Sequence, residues 1–196
     1  MLENMLNLES FAIITVLYLI GSIPFAILTS KMFDLPDPRT FGSKNPGATN
    51  VLRSGNKFAA LFTLVGDALK GFIPMIYMMS CGYEIYELYL LSFTILIGHC
   101  FPVTLSFKGG KGVATSLGIL LALSPLVALM VLITWAIIYY LFKVSGVSAL
   151  IGFLLLPFFM FSISSDSYMI MISFVNVIFI YLTHKKNILE FLSSQT

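Results

Sequence analysis

Charge-free apolar runs recur along this chain, most of them longer than the roughly 17 residues needed to cross a hydrocarbon core about 30 Å thick. Ser10 to Ser30 is the first, with Gly21 and Pro24 loosening its middle. Phe58 to Ser80 is the second and carries Asp67 and Lys70 inside it, and Leu88 to Phe107 is the third. The uncharged stretch from Gly112 to Phe142 is too long for one crossing and is divided at Ser124-Pro125, a helix-breaking pair. Val144 to Ser165 and Ser167 to Thr183 bring the expected count to seven. The fourth segment has only about a dozen residues after Gly112, so it requires its preceding glycine loop to sit below the membrane surface.

Placing the loops alternately on two sides tests that count, because cytoplasmic loops collect Lys and Arg. Lys31, Arg39, Lys44, Arg53, Lys57, Lys108, Lys111, Lys143, Lys185 and Lys186 fall on one side, and Glu3, Glu9, Glu84, Glu87 and Asp166 on the other. Keeping Gly112 to Phe142 whole would export Lys143, Lys185 and Lys186. The pattern therefore predicts an all-α, polytopic membrane bundle with the N-terminus outside and the C-terminus in the cytoplasm. Composition agrees: of 196 residues 58% are hydrophobic and 10% charged, with mean hydropathy +0.96, outside the range of soluble domains. With no linker or low-complexity tract, residues 1–196 read as a single domain. Glu3 and Glu9 precede the first apolar run without a basic region, which predicts an uncleaved first segment. Cys81 and Cys100 lack metal spacing and read as passive.

Three stretches on the basic side carry candidate chemistry. Phe41 to Gly55, FGSKNPGATNVLRSG, is too polar and glycine-rich for a span. Asn45 is expected to cap a short helix, Pro46 to sit in its first turn and Gly55 to close it left-handed, for about two turns. Free amides at that start, with Ser43, Lys44 and Arg53, would form an anion cradle; the bland alternative is a polar connecting loop. The second stretch, GHCFPVTLSFKGGKG, runs from Gly98 to Gly112. Gly109, Gly110 and Gly112 are expected to let successive amides turn toward one anion beside Lys111, against the alternative of a re-entrant turn. Because Lys111 is followed by glycine, it is not a nucleotide-binding Walker loop. His99 is either a general base or a hydrogen-bonded packing residue. The third stretch is HKKNILE, in which His184 and Asn187, three apart, would share a face on a continuing helix, with Lys185 and Lys186 as headgroup anchors. Asp67 and Lys70, also three apart, are costly inside a bilayer, so they either touch a ligand or neutralise each other and hold spans together.

GSIPFA, GSKNPGATNVLR, GDALKG, GHCFP with FKGGKGVAT, and His184 with Asn187 occur in this order over nearly the whole chain, which closely resembles the bacterial acyl-phosphate:glycerol-3-phosphate acyltransferases. The resemblance implies an inner-membrane enzyme, facing the cytoplasm, that makes lysophosphatidic acid from acyl phosphate and glycerol 3-phosphate. It also implies contact with the bilayer and with the soluble enzyme that makes acyl phosphate, and gives no call for nucleic acid, metal or cofactor. Carried over, and joined to the readings above, it gives Ser43, Asn50, Arg53, Lys111, His184 and Asn187 as expected catalytic side chains. Lys44, Asn45, Gly47, Thr49, Gly109, Gly110, Gly112, Asp67, Lys70 and His99 are the expected substrate or phosphate ligands. The tail departs from the family pattern, since Glu190 and Ser194 stand where a basic residue and a glycine are usual. Acyl phosphate is a mixed anhydride with a good leaving group, so positioning and charge stabilisation suffice and no acyl-enzyme is required. The His-x-x-x-x-Asp base of the other large glycerolipid acyltransferase class is missing, the matching positions being Thr104 and Leu189. An organic-phosphate transporter is the alternative; it would favour an inverted repeat and a midplane site, where these loops all lie on one face.

Overall fold

The structure, a computed structural model, describes residues 8–164 and 166–193. The helices in chain order are α1 (Leu8–Gly21), α2 (Phe25–Met32), α3 (Ala48–Leu52), α4 (Lys57–Ser80), α5 (Ile85–Cys100), α6 (Val113–Leu123), α7 (Pro125–Phe142), α8 (Ser145–Leu154), α9 (Leu156–Ile163), α10 (Ser167–Thr183) and α11 (Lys185–Ser193). Each expected segment coincides with a helix or a broken pair. Lys57–Ser80, Ile85–Leu105, Pro125–Phe142 and Ser145–Ile163 are long and apolar enough to cross a membrane, and α1 with α2 makes a fifth such unit bent by 40°. α6 and α10 are shorter, at 11 and 17 residues. The division at Ser124-Pro125 is real: Ser124 ends α6 and Pro125 opens α7 at a first-turn position where its missing N–H costs nothing. The segment from Val144 was expected to be one helix but is interrupted at Leu155, just before Pro157.

Lipid competes as well as leucine for apolar surface, so spans associate by close backbone contact at small residues. α4 and α6 meet in this way: a Cβ on Gly118 would stand 2.0 Å from the Ala68 carbonyl oxygen. α1 and α5 cross at Gly21 and Gly98, where a Cβ would come 2.2 Å from Ile95 O or 2.3 Å from Tyr18 O. The core between them is aliphatic, with Met75, Ile95, Leu96, Ile119, Leu120 and Leu156 fully buried. A second, small cluster of Ala26, Val51, Ala59 and Ala60 seats α3 against α2 and α4.

The break between α1 and α2 interrupts a span-length apolar unit, so the carbonyls freed there need partners from the protein. Lys70 Nζ donates to Ile23 O at 2.9 Å, and Thr104 Oγ1 donates to Ser22 O at 2.8 Å. The charged pair expected to be costly in α4 thus stabilises a deliberately broken span.

Candidate active site

Three loops gather at the basic end of the bundle, around α3, the α5–α6 loop and the α10–α11 junction. The first departs from expectation at its start. Asn45 does not cap a helix: α3 opens at Ala48 with Gly47 as the extended N-cap and no side-chain cap, leaving Pro46 buried outside it. Without a capping bond at Asn45 the helix holds only five residues. Gly55 does close the turn at φ +89°, its N–H donating to Leu52 O at 3.0 Å. Asn50, 2% exposed, also does something other than expected. Its amide donates to Pro38 O at 2.6 Å and Phe41 O at 3.2 Å, and its Oδ1 accepts from Ser43 N at 3.0 Å. With both ends engaged on loop backbone, it shapes the cradle and is a positioning residue. Arg53 is exposed and folds back over Gly42, whose added Cβ would lie 3.2 Å from Nη1, so the guanidinium stands beside the turn that carries Ser43. Lys44 projects from the same turn at φ +56°, a left-handed conformation uncommon for lysine, and is exposed. Thr49 Oγ1 lies 3.1 Å from Ser145 Oγ, tying α3 to the start of α8.

The glycine loop corrects a second expectation. Gly109 N donates to Cys100 O at 3.0 Å and Gly110 N to His99 O at 3.1 Å, so these two amides are spent on the end of α5 and do not point to an anion. What the glycines permit is contact: a Cβ on Gly109 would meet His99 O at 2.1 Å. The loop lies flat on α5 and turns at Gly112, φ +87°, a region glycine enters without steric cost, to launch α6.

Lys111, delivered by this loop, is clasped from the other side. Its Nζ donates to Asn187 Oδ1, and its backbone carbonyl accepts from Thr183 Oγ1 at 2.9 Å. His184 was expected on a helix continuous with Asn187; it is instead the residue at which α10 stops and α11 begins. Its Nδ1 lies 2.8 Å from Ile180 O, and because a carbonyl only accepts, Nδ1 carries the proton and Nε2 keeps its lone pair. Burial at 2% exposure, reinforced by the Lys111 charge, pushes its pKa down to about 4, so the ring is neutral at physiological pH. Side chains from Glu190 onward, and Ser194, lie outside what the structure describes.

Asp67, Lys70 and His99 sit together beneath the glycine loop, buried. Lys70 Nζ is 2.8 Å and His99 Nδ1 3.5 Å from Asp67 Oδ1. Ser22, Ile23, Pro24, Pro46, Gly109 and Gly110 join these three around one narrow cleft. The cleft is what brings the cradle, through Pro46, to the glycine loop. Cys81 is exposed and Cys100 buried, and both are free. Sequence reasoning missed Ser145, Thr104 and Thr183; each is one hydroxyl in an apolar or loop stretch, and only its distant partner reveals it.

The fold and site together define a membrane-embedded helical protein with cations and polar side chains grouped at one end. A profile of the glycerol-3-phosphate acyltransferase family matches residues 11–194. The chain is 46% identical over 178 residues to the glycerol-3-phosphate acyltransferase of Ruthia magnifica subsp. Calyptogena magnifica, covering 91% of this chain and 90% of that one. It is 50% identical over 140 residues to that of Dechloromonas aromatica (strain RCB), 71% of either chain. Among solved structures, it is similar to PlsY (YgiH), an integral membrane glycerol 3-phosphate acyltransferase, in its glycerol 3-phosphate form: TM-score 0.87 at 31% identity, over 95% of this chain and 93% of that one. The lysophosphatidic acid form of the same protein gives a TM-score of 0.86. The chain belongs to the glycerol-3-phosphate acyltransferase family. Transfer chemistry, and not transport, is what this membership supports.

Proposed function

We propose that this enzyme moves a fatty acyl group from acyl phosphate to the 1-hydroxyl of glycerol 3-phosphate, releasing lysophosphatidic acid and phosphate. The observation that carries this reading is the meeting of Lys111 and Asn187 across two loops far apart in sequence, on the same cleft-bearing end as the Arg53 turn. Both substrates carry phosphate and one carries an acyl chain, so a site with two cationic corners at the edge of an apolar bundle suits them.

Arg53, with Ser43 and Lys44 at its turn, receives one phosphate through the two parallel donors of its guanidinium. Lys111 faces the other, and stabilises charge that builds on the carbonyl oxygen and departing phosphate as the glycerol oxygen attacks. Asn187, oriented by Lys111, and His184, with its Nε2 lone pair, accept from the glycerol hydroxyls. The attacking hydroxyl loses its proton as the C–O bond forms, and the released phosphate, a stronger base than the anhydride it leaves, takes that proton up. Thr49 holds the outer wall of the cradle through Ser145.

Seven crossings place this end in the cytoplasm, in one domain of the bacterial inner membrane. In that arrangement acyl phosphate arrives from a soluble enzyme or along the bilayer. The one-sided placement of loop Lys and Arg supports it. A cysteine introduced at Lys143 is then expected to resist an impermeant reagent applied outside intact cells; labelling there would remove a crossing.

The deciding assay is purified protein in lipid with acyl phosphate and labelled glycerol 3-phosphate. Lysophosphatidic acid is expected without ATP or added metal, and acyl-CoA is expected to fail as donor. Full turnover with acyl-CoA, or none with acyl phosphate, would overturn the reading.

A further inference from the structure

Resting on that reading, we infer that Asp67, Lys70 and His99 form one positioning assembly, which sets the height of the glycine loop and so the place of Lys111, without binding substrate phosphate themselves. The three are 3%, 5% and 7% exposed, and each reaches a different element. Lys70 Nζ is shared between Asp67 Oδ1 at 2.8 Å and Ile23 O at 2.9 Å, the carbonyl freed by the break between α1 and α2. Its charge is thus neutralised and its donors directed inside the bundle. Asp67 Oδ1 also stands 3.5 Å from His99 Nδ1. At that distance Nδ1 makes no hydrogen bond among the described residues, so the carboxylate acts on the ring by close packing within the buried cluster.

The far edge of the ring supports the loop. A Cβ built on Gly110 would fall 2.2 Å from His99 Nε2 and 2.7 Å from Cε1, so the imidazole fills the space a side chain would need. The His99 carbonyl takes the Gly110 N–H at 3.1 Å, giving the loop a second contact to the same residue. Lys111 is the next residue, and its Nζ must meet Asn187. Any tilt of His99 therefore passes through one peptide unit to the catalytic ammonium. Gly110 is a glycine because of His99, and His99 keeps its place because the buried Asp67–Lys70 pair packs against its ring.

Four variants of the full-length enzyme in lipid test this, scored per folded molecule by kcat, by KM for both substrates and by thermal midpoint. Gly110→Ala is expected to lose about 10²-fold in kcat, the scale of a 1 Å misplacement. The same change in a His99→Ala background is expected to cost less than about fivefold, because the clash is gone. His99→Ala alone lowers kcat at least about tenfold with both KM values within about threefold, and His99→Gln, whose side-chain amide reaches the Nε2 edge that meets Gly110, recovers most of that loss. Additive costs of Gly110→Ala and His99→Ala would overturn the proposal. So would a kcat per folded molecule unchanged in His99→Ala, or failure of both His99 variants to fold, since either outcome makes the role merely structural. For Lys70, the double variant Asp67→Asn with Lys70→Met is expected to keep KM for acyl phosphate and glycerol 3-phosphate within about threefold of wild type, whereas a phosphate ligand would raise one of them more than about tenfold. A tenfold rise assigns Lys70 to substrate and overturns the assembly. If the wild type itself made no lysophosphatidic acid, the proposed function would fail first, and separately.

Discussion

The two basic loops of the site are built on opposite plans. The cradle between α2 and α4 is held mainly from within, by one buried amide: Asn50 binds Pro38, Phe41 and the Ser43 N–H, while its cations Lys44 and Arg53 are exposed. The glycine loop is held from without, by α5 carbonyls, His99, Thr183 and Asn187, and its lysine is half-buried. A loop with one internal brace can shift as a unit when an anion enters; a loop clamped on two sides cannot. In the proposed reaction the cradle is thus suited to admit and close on a phosphate, and the glycine loop to hold a charge fixed beside the reacting groups, since preorganised charge is what lowers a barrier.

The largest expected effect is at the cradle's cation. Arg53→Lys retains the charge and removes the fork, so activity should fall about 10² to 10³-fold, the usual scale for losing one such contact. Expression and thermal midpoint should not move, because Arg53 is exposed. A variant that stays within a few-fold of wild type would show that Lys44 or Lys111 carries the charge.

Next is the brace. Asn50→Ala removes three hydrogen bonds from the cradle: the buried Pro38 carbonyl loses its partner at a cost of about 1–3 kcal/mol, the half-buried Ser43 N–H loses this one at less, and the Phe41 carbonyl still accepts from Lys44 N. The cost falls on the loop and not on the bundle, whose aliphatic core is elsewhere. Limited proteolysis between residues 36 and 46 should accelerate and kcat/KM fall about tenfold or more, with little change in thermal midpoint. Thr183→Val, which removes one of several ties to the glycine loop, is expected to cost no more than about threefold. Equal effects at the two sites would erase the contrast between the loops.

How far the sequence reached depends on what each residue's signal is. The apolar helices were legible because lipid imposes long uncharged runs, and the split at Ser124-Pro125 because proline cannot continue a helix. Arg53, Lys111, His184 and Asn187 were singled out by type and order, and the structure brings Lys111 to Asn187. Which way a group points was not. Gly109 and Gly110 look the same whether their amides face an anion or an α5 carbonyl, and Asn50 looks the same as a ligand or as a brace. Ser145 and Thr183 become visible only through partners 96 and 72 residues away. Asp67 and Lys70 announced that they must do something, yet their work on Ile23 O needed the broken span to be seen in place.

A smaller effect comes from pH at the clamp. His184 titrates near 6.5 when unfolded and about 4 when folded, so the folded state binds fewer protons between those values. Destabilisation should therefore grow as pH falls from about 6.5 to 4 and level off below, lowering the thermal midpoint by several degrees. Above 6.5 this residue adds no slope. His184→Gln, which cannot titrate, should flatten that stretch of the curve; an unchanged curve would mean that the ring is not held neutral.

The smallest effect is expected at Arg39, the cradle's other arginine, and it sharpens the contrast with Arg53. Its guanidinium is already occupied: Nε lies 3.0 Å from Asp37 Oδ1 and Nη2 2.6 Å from Oδ2, and this hydrogen bonding holds the Asp37 carboxyl below its ordinary range. The side chains are 42% and 33% exposed, where such pairs contribute about 0–1 kcal/mol. The Arg39 backbone N–H donates to Asp37 Oδ1 at 2.9 Å independently of the side chain, so Arg39→Lys should leave the turn intact. The neighbouring Pro38 carbonyl, which anchors Asn50, then stays in place. Activity is expected within about twofold of wild type, in membranes matched to the Arg53→Lys sample so that insertion is controlled. A loss approaching that of Arg53→Lys would mean that the Asp37–Arg39 fork opens during the reaction and that the cradle presents two arginines, not one, to the incoming phosphate.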